Sequence, residues 1–152
     1  MKKFFLNLFW FVLFISVQTV QLNAQGTEIP VTVTDAFHRM YPNVVDADVY
    51  WEVEEEEYTA TFEDEKMASV IATFDDGGAW IQSTIEVEFE DLPLIAQQLI
   101  QKEYKVEMYY NLTKLEVPFQ VTYNVNFETK KDAVYLVFDK IGKLIDREIE
   151  GL

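Results

Sequence analysis

Few side chains in this 152-residue chain are suited to nucleophilic or acid–base catalysis. There is no cysteine, and the only histidine is His38. A serine–histidine pair would need Ser69 or Ser83, and neither lies in the Gly-x-Ser-x-Gly sequence that exposes a nucleophile at a strand-to-helix turn. We therefore interpret His38 as a solvated side chain on the polar face of a helix, and we predict that the protein is not an enzyme.

Carboxylates are abundant, and they leave two alternatives open. The acidic runs Glu54–Glu57 and Glu63–Glu65 offer the clustered oxygen ligands that calcium prefers, so one alternative is a calcium- or cation-binding protein of the cell envelope. Paired carboxylates also serve glycoside hydrolysis, so the other alternative is a hydrolase. The EF-hand spacing is missing, however, and no insertion is long enough to form a cleft. We therefore predict no metal ligand, no cofactor and no catalytic residue.

The charge of the chain limits its partners. The formal net charge is −15, with 12 Lys and Arg against 27 Asp and Glu. Nucleic acid and anionic membrane surfaces are both disfavoured, because binding to phosphate needs clustered basic side chains. The acidic surface instead favours a partner protein with a basic surface.

The first residues have the three-part layout of a secretory signal peptide. Lys2 and Lys3 form a basic start, Phe4–Val17 is almost wholly apolar, and Leu22-Asn23-Ala24 is a suitable cleavage site. The apolar run is shorter than the roughly 20 residues that a membrane-spanning helix needs. We expect residues 1–24 to be removed, which predicts a periplasmic or secreted protein with no membrane contact after cleavage.

Two related segments organise the rest of the chain. Residues 28–41 read EIPVTVTDAFHRMY and residues 91–104 read DLPLIAQQLIQKEY, 63 positions further on. Each has an acid, an aliphatic residue and a proline, then a helical apolar stripe, then a tyrosine. Alternating apolar residues after each segment predict four strands. In the second half one predicted strand carries Val106, Met108, Tyr110 and Leu112 in its apolar phase, and the next is Phe119–Phe127, which begins with Phe119 in the apolar phase.

Further matches predict that the two halves are repeats. Tyr58–Phe62 corresponds to Tyr123–Phe127, and the hairpin glycine Gly78 corresponds to Gly142. We expect residues 25–152 to form one domain of class α+β, built of repeats 28–90 and 91–152. Each repeat is a helix followed by four antiparallel strands, and together they form an eight-stranded antiparallel sheet with both helices on one face.

The order of these motifs resembles that of a known family. The features are the two acid-aliphatic-proline starts, Tyr41-Pro42 at the end of the first helix, Trp51 on a strand, the Tyr-x-Ala-x-Phe strand Tyr58–Phe62 and the Phe-Asp-x-x-Gly hairpin Phe74–Gly78. Together they resemble the PepSY-like family, exported proteins of Bacteroidetes-type bacteria that are also described as beta-lactamase-inhibitor-like. The resemblance implies a tandem helix-plus-four-strand fold, export to the periplasm or beyond, and no established enzymatic activity.

The strand phase that faces away from the helices is the predicted binding surface. Tyrosines among polar side chains on an uncovered face suit protein recognition. An alternative is that the tyrosines only fill strand positions, which they favour intrinsically. On the first interpretation the protein is a binding module, an inhibitor or regulator of another envelope or secreted protein with a basic surface. The predicted contact residues are Tyr50, Glu52, Ile71, Tyr109 and Tyr135.

Overall fold

A computed structural model describes residues 28–152, so the predicted signal peptide at 1–24 lies outside the described residues. Among residues 28–152, no helix has the length and apolar character needed to cross a bilayer. The elements are α1 Val31–Met40, β1 Tyr50–Glu54, β2 Glu57–Glu63, β3 Ser69–Asp75, β4 Trp80–Glu86, α2 Leu94–Glu103, β5 Met108–Val117, β6 Gln120–Glu128, β7 Asp132–Asp139 and β8 Leu144–Gly151.

The strands form one antiparallel sheet in which spatial order equals chain order. Each strand pairs with the next, from β1 at one edge to β8 at the other. Tight turns connect the strands within each half, and α2 lies between β4 and β5 in sequence. The β4–β5 ladder joins the two halves through the pairs from Ser83–Glu116 to Glu86–Thr113.

Both helices begin directly after a proline. Pro30 and Pro93 directly precede the first helical residues, Val31 and Leu94. The carbonyl of Pro30 accepts hydrogen bonds from the amides of Val33 at 2.9 Å and Thr34 at 3.0 Å. The carbonyl of Pro93 accepts the corresponding hydrogen bonds from the amides of Ala96 at 2.8 Å and Gln97 at 3.1 Å. The prolines thus start the helices without any side-chain cap.

The core lies on one face of the sheet, under the helices. A single row of cross-strand neighbours runs through Phe62, Val70, Ile85, Lys114, Tyr123 and Phe138. Around Phe62 and Val70 the row packs against Val33, Ala36 and Phe37 of α1. Around Phe138 it packs against Leu92, Ala96 and Ile100 at α2. Because one row reaches both cores, α1 and α2 cover the same face.

Two hairpin glycines lie against the first turns of the helices. Gly78 has φ +81°, and a Cβ built on it would lie 2.4 Å from the carbonyl oxygen of Thr32. Gly142 has φ +87°, and its Cβ would lie 2.8 Å from the amide nitrogen of Ala96. The β3–β4 and β7–β8 hairpins therefore need glycine both for backbone conformation and for close packing.

The structure corrects one strand boundary. The alternation of Phe119 with Val121 and Tyr123 predicted a strand that begins at Phe119 with its ring on the apolar face. In the structure β6 begins at Gln120, and Phe119 lies in the β5–β6 turn with φ +70° and a fully exposed ring. Pro118 and Phe119 together form the turn. Because Phe119 is apolar and in phase with Val121 and Tyr123, the sequence pattern did not distinguish this turn residue from a residue of the strand.

Candidate binding face

The side of the sheet away from α1 and α2 is the candidate functional surface, and we call it the open face. One row of neighbours across it contains Tyr50, Thr61, Ile71, Thr84, Leu115, Thr122 and Asp139. Both cores, with α1 and α2, lie on the opposite side of the sheet. The open face is therefore available to a partner.

The charged side chains that the strands place on the open face are all acidic. The strands contain two basic residues, Lys114 and Arg147, and both lie in the phase that faces the helices. Lys114 pairs there with Glu116, and Arg147 pairs with Glu103 of α2 at 2.9 Å. The acidic side chains of the open face are Glu52, Glu54, Glu57, Glu63, Asp75, Glu86, Glu128, Asp139, Asp146, Glu148 and Glu150.

The open face also carries hydroxyl and amide groups between its acidic side chains. Thr59 and Thr73 face each other on β2 and β3 with their Oγ1 atoms 3.3 Å apart. Thr73 and Thr122 are only 5% and 7% exposed although no helix covers them, so neighbouring strand side chains shield them. The Tyr135 hydroxyl donates to the Asn124 side-chain oxygen at 3.2 Å. The open face is therefore polar as well as acidic.

Four of the five predicted contact residues lie on the open face, in two separate places. Tyr50 and Ile71 share one row near the β1 edge, and Glu52 is two residues from Tyr50 on the same strand. Tyr135 lies on β7, paired with Asn126 and Glu148 near the β8 edge. The predicted residues therefore belong to two patches at opposite edges of the sheet.

The placement of the fifth residue, Tyr109, is wrong. Tyr109 pairs with Phe127 and lies on the helix side, with ring centroids 5.4 Å from Phe89 and 5.9 Å from Phe127. A β-bulge between Tyr109 and Asn111 inserts Tyr110 as an extra residue, which changes the phase of the strand. Burial, and to a smaller extent the charge of Glu90, raises the pKa of the Tyr109 hydroxyl.

Tyr110 takes the place on the open face that the sequence assigned to Tyr109. It is 53% exposed, and a hydrogen bond to Glu128 is the main cause that raises the pKa of its hydroxyl. Strict alternation with Met108 and Leu112 had placed Tyr110 in the apolar phase. The one local signal was Asn111, a residue disfavoured within regular strands.

Tyr110 and Tyr135 border a cavity of about 250 Å³ at one corner of the open face, which we call the corner cavity. Its walls include Asn126 and the carboxylates of Glu148 and Glu150 on the edge strand β8. Its floor includes Ala133, whose small side chain leaves the space open. The sequence did not indicate this cavity, because it depends on the bulge in β5 and on the register of four strands.

The other candidate residues for catalysis or metal binding do not come together in a site. His38 Nε2 lies 2.9 Å from Asp46 Oδ1 on the surface, away from any serine partner. Ser83 is buried, and its Oγ lies 2.8 Å from both the Tyr41 hydroxyl and the Trp80 indole nitrogen. Within residues 28–152, no three His, Cys, Asp or Glu side chains converge to hold a metal ion. The acidic hairpins at Glu54–Glu57 and Glu63–Glu65 thus gain no support as a calcium site.

Solved structures of Bacteroides proteins share this fold. A DUF2874 family protein from Bacteroides uniformis aligns with a TM-score of 0.66 and 22% identity, over 79% of this chain and 88% of that one. A BLIP-like protein from Bacteroides fragilis aligns with a TM-score of 0.65 and 21% identity, over 78% of this chain and 84% of that one. A Bacteroides eggerthii protein, provisionally described as periplasmic, aligns with a TM-score of 0.66 and 16% identity over 79% and 88%.

At identities this low, the structural similarity establishes a common fold and leaves function open. No protein-family model matches the chain, and no curated protein matches it. The eight-stranded antiparallel sheet with two helices is therefore shared with these structures, and any activity has to be argued from the open face itself.

Proposed function

We propose that the protein is an exported, non-enzymatic binding module whose open face binds a partner protein with a basic surface, and that it inhibits or regulates that partner. The observation that carries the proposal is the separation of charge between the two faces of the sheet. The open face carries acidic side chains from β1 to β8, whereas Lys114 and Arg147 both face the helices.

This charge distribution suits recognition of a basic protein. Complementary potentials increase the rate of association and reject partners of the wrong sign. Tyr50, Tyr110 and Tyr135 add aromatic side chains, which commonly supply much of the binding energy at interfaces. The partly exposed side chains of Thr59 and Asn124 add a hydroxyl and an amide group that can form hydrogen bonds with a partner.

The proposal places the protein outside the cytoplasm. The basic start, apolar run and cleavage site in residues 1–24 support export. The provisional periplasmic description of the Bacteroides eggerthii neighbour agrees with this location. The partner is then another envelope or secreted protein.

We also propose that the two halves are copies of one unit, as in the PepSY-like pattern. Each half is a ten-residue helix followed by four strands. Gly78 of the first half lies against the carbonyl of Thr32, and Gly142 of the second lies against the amide of Ala96. The 63-residue offset of the helices aligns Ala96 with Val33, the residue after Thr32, so both glycines contact the same peptide group of their helix. Duplication would explain how a unit too small to be very stable alone forms a larger sheet.

Photo-crosslinking in the native cell tests the binding role. A photoreactive residue at Gln82 or Asn111, both exposed on the open face, is expected to capture a partner. The same residue at Asp35 or Gln98, exposed on the helices, serves as the matched control. We expect capture from the two sheet positions only, and a captured partner whose contact site is rich in Lys and Arg.

Two results would contradict the proposal. One is equal capture from the helix positions and the sheet positions, which would remove the open face as the binding surface. The other is capture of a partner through an acidic site, which would remove charge complementarity as the basis of recognition.

A further inference from the structure

The corner cavity is built by two adjacent cross-strand rows. In the first row Ala133 lies between Glu128 on β6 and Glu150 on β8. In the second row Tyr135 lies between Asn126 on β6 and Glu148 on β8. A methyl group at Ala133 beside longer neighbours creates a depression, and the carboxylates of Glu148 and Glu150 border it on the β8 side.

Aromatic rings complete the walls of the cavity. Tyr135 is on the same strand as Ala133, two residues further along, and Tyr110 reaches the site through the β5 bulge. The site thus combines the π faces of two tyrosines with carboxylate oxygens, which together attract an organic cation.

No basic side chain of the described residues lines the cavity to neutralise these acids. Lys130 and Lys131 lie in the adjoining β6–β7 turn, but neither is among the lining residues. Arg147, a neighbour of Glu148 in sequence, faces α2 on the opposite side of the sheet. The positive charge that would complement the site therefore has to come from another molecule.

We infer that the corner cavity receives an arginine side chain of the partner protein, with its guanidinium group against Tyr110 and Tyr135 and bonded to Glu148 and Glu150. This inference rests on the proposed function and names the group that the partner presents. Arginine fits better than lysine because a planar guanidinium stacks on aromatic rings and bonds carboxylates through two N–H groups at once. A metal ion fits less well, since no three carboxylates converge on one point among the described residues.

A small-molecule titration followed by NMR tests the inference without the partner. The probe is N-acetyl-arginine methylamide, and the readout is the backbone amide shifts of Asn126, Ala133 and Tyr135. We expect saturable shifts with a dissociation constant on the order of millimolar, which corresponds to about −4 kcal/mol. N-acetyl-citrulline methylamide, which has the same shape without the charge, is expected to produce no saturable shift. The lysine analogue is expected to bind several-fold more weakly.

Three variants test whether the chemical shift changes arise from binding in the corner cavity. Glu148→Gln with Glu150→Gln removes two charges from exposed positions, and we expect at least about a tenfold loss of affinity for the arginine probe. Glu52→Gln with Glu54→Gln makes the same change in charge at the opposite edge, and we expect the affinity to stay within about twofold. Ala133→Leu fills the floor without a change in charge, and we expect it to abolish the shifts while the melting temperature stays unchanged within a few degrees.

Two results would overturn the inference. One is that N-acetyl-citrulline methylamide produces the same chemical shift changes as the arginine probe. The other is that both double variants, at opposite edges of the sheet, lose affinity for the arginine probe equally. Failure of the proposed function looks different. If the open-face crosslinks capture a partner but the arginine probe does not bind, the arginine site is wrong and the binding face stands. If the probe binds in the cavity but no open-face crosslink forms, the inference that this arginine belongs to a partner protein is overturned together with the proposed function.

Discussion

Tyr41 and Tyr104 end the two helices, but their hydroxyl groups have different surroundings. The Tyr41 hydroxyl lies 2.8 Å from the Ser83 Oγ, which also accepts a hydrogen bond from the Trp80 indole. Ser83 pairs with Ala72 and Arg147 with Leu136, so Arg147 occupies in the second half the place that Ser83 occupies in the first. The Arg147 guanidinium lies over the Tyr104 ring, 5.7 Å from its centroid, and leaves the buried Tyr104 hydroxyl without a hydrogen-bond partner.

Removal of each hydroxyl is expected to have opposite effects. Tyr41→Phe breaks the bond to Ser83 and should lower the free energy of unfolding by about 1 kcal/mol. Tyr104→Phe removes a buried, unpaired hydroxyl and should raise it by up to about 1 kcal/mol. Urea unfolding at constant m-value measures both, and a loss of stability in Tyr104→Phe equal to that in Tyr41→Phe would show that the Tyr104 hydroxyl has a partner.

The same two tyrosines predict a loss of stability in alkali. Burial is the main cause that raises the pKa of both Tyr41 and Tyr104 above the usual value of 10.0. Because the folded state favours the neutral phenol, this contribution is fully present below pH 10 and is lost as the pH rises through the folded-state pKa values. We expect the double variant Tyr41→Phe/Tyr104→Phe to lose less stability between pH 9 and pH 11 than the parent. Parallel pH curves for the two proteins would contradict this.

At the scale of elements, each hairpin glycine sets the distance between a helix and its sheet. Gly78 and Gly142 combine a positive φ with backbone contacts that leave no space for a Cβ. We expect Gly78→Ala and Gly142→Ala each to cost about 2–4 kcal/mol, as the sum of backbone strain and forced displacement of the helix. Gly151→Ala is the matched control, since nothing lies within 4 Å of its Cβ position, and it should change stability by less than about 0.5 kcal/mol. Similar costs at all three sites would exclude close packing as the reason.

The bulge in β5 makes a second comparison possible at this scale. Tyr109→Ser removes a ring packed against Phe89 and Phe127, and we expect a loss of about 2–4 kcal/mol in the free energy of unfolding. Tyr110→Ser alters an exposed side chain, and we expect less than about 1 kcal/mol. Chemical denaturation measures both, and the reverse order would mean that the bulge is absent in solution.

Element type was predictable from the sequence, whereas the phase of one strand was not. Proline starts and apolar stripes identified both helices, and alternation such as that from Val121 to Phe127 identified strands, because a buried face imposes its period on the residues. Tyr109 was misplaced because a single inserted residue reverses every following side chain, and alternation in sequence does not show the insertion. Phe119 was misplaced because an exposed aromatic in a turn has the same residue type as a buried one in a strand.

The uncovered face of the sheet was predictable in location but not in detail. The uncovered phase followed from the alternation, so Tyr50, Glu52, Ile71 and Tyr135 were placed on the correct side. The corner cavity depends on Ala133 lying between Glu128 and Glu150, which is a matter of register between strands that are separated in sequence. Register is fixed by tertiary pairing and cannot be read from any one strand.

At the scale of the whole molecule, the acidic charge should oppose the compact state. The net charge of the full chain is −15, and an excess of acidic side chains this large produces self-repulsion that salt screens. We expect the melting temperature to rise by several degrees when NaCl is raised from about 0.01 M to about 0.5 M, over which the screening length falls from ~30 Å to a few Å. A variant with Glu52, Glu54 and Glu56 changed to Gln should gain less from salt. A melting temperature that falls with salt would show that attractive ion pairs dominate.

The sequential order of the sheet also has a consequence for how the chain assembles. The core under α1 draws its residues from the first half of the described chain, and the core under α2 from the second. Only the β4–β5 ladder has to bring the halves together, and no strand waits for a distant partner. A chain that emerges from a translocation channel can therefore complete its first core before the second half has appeared, and loop closure stays short throughout. The direction of export and the direction of folding then coincide.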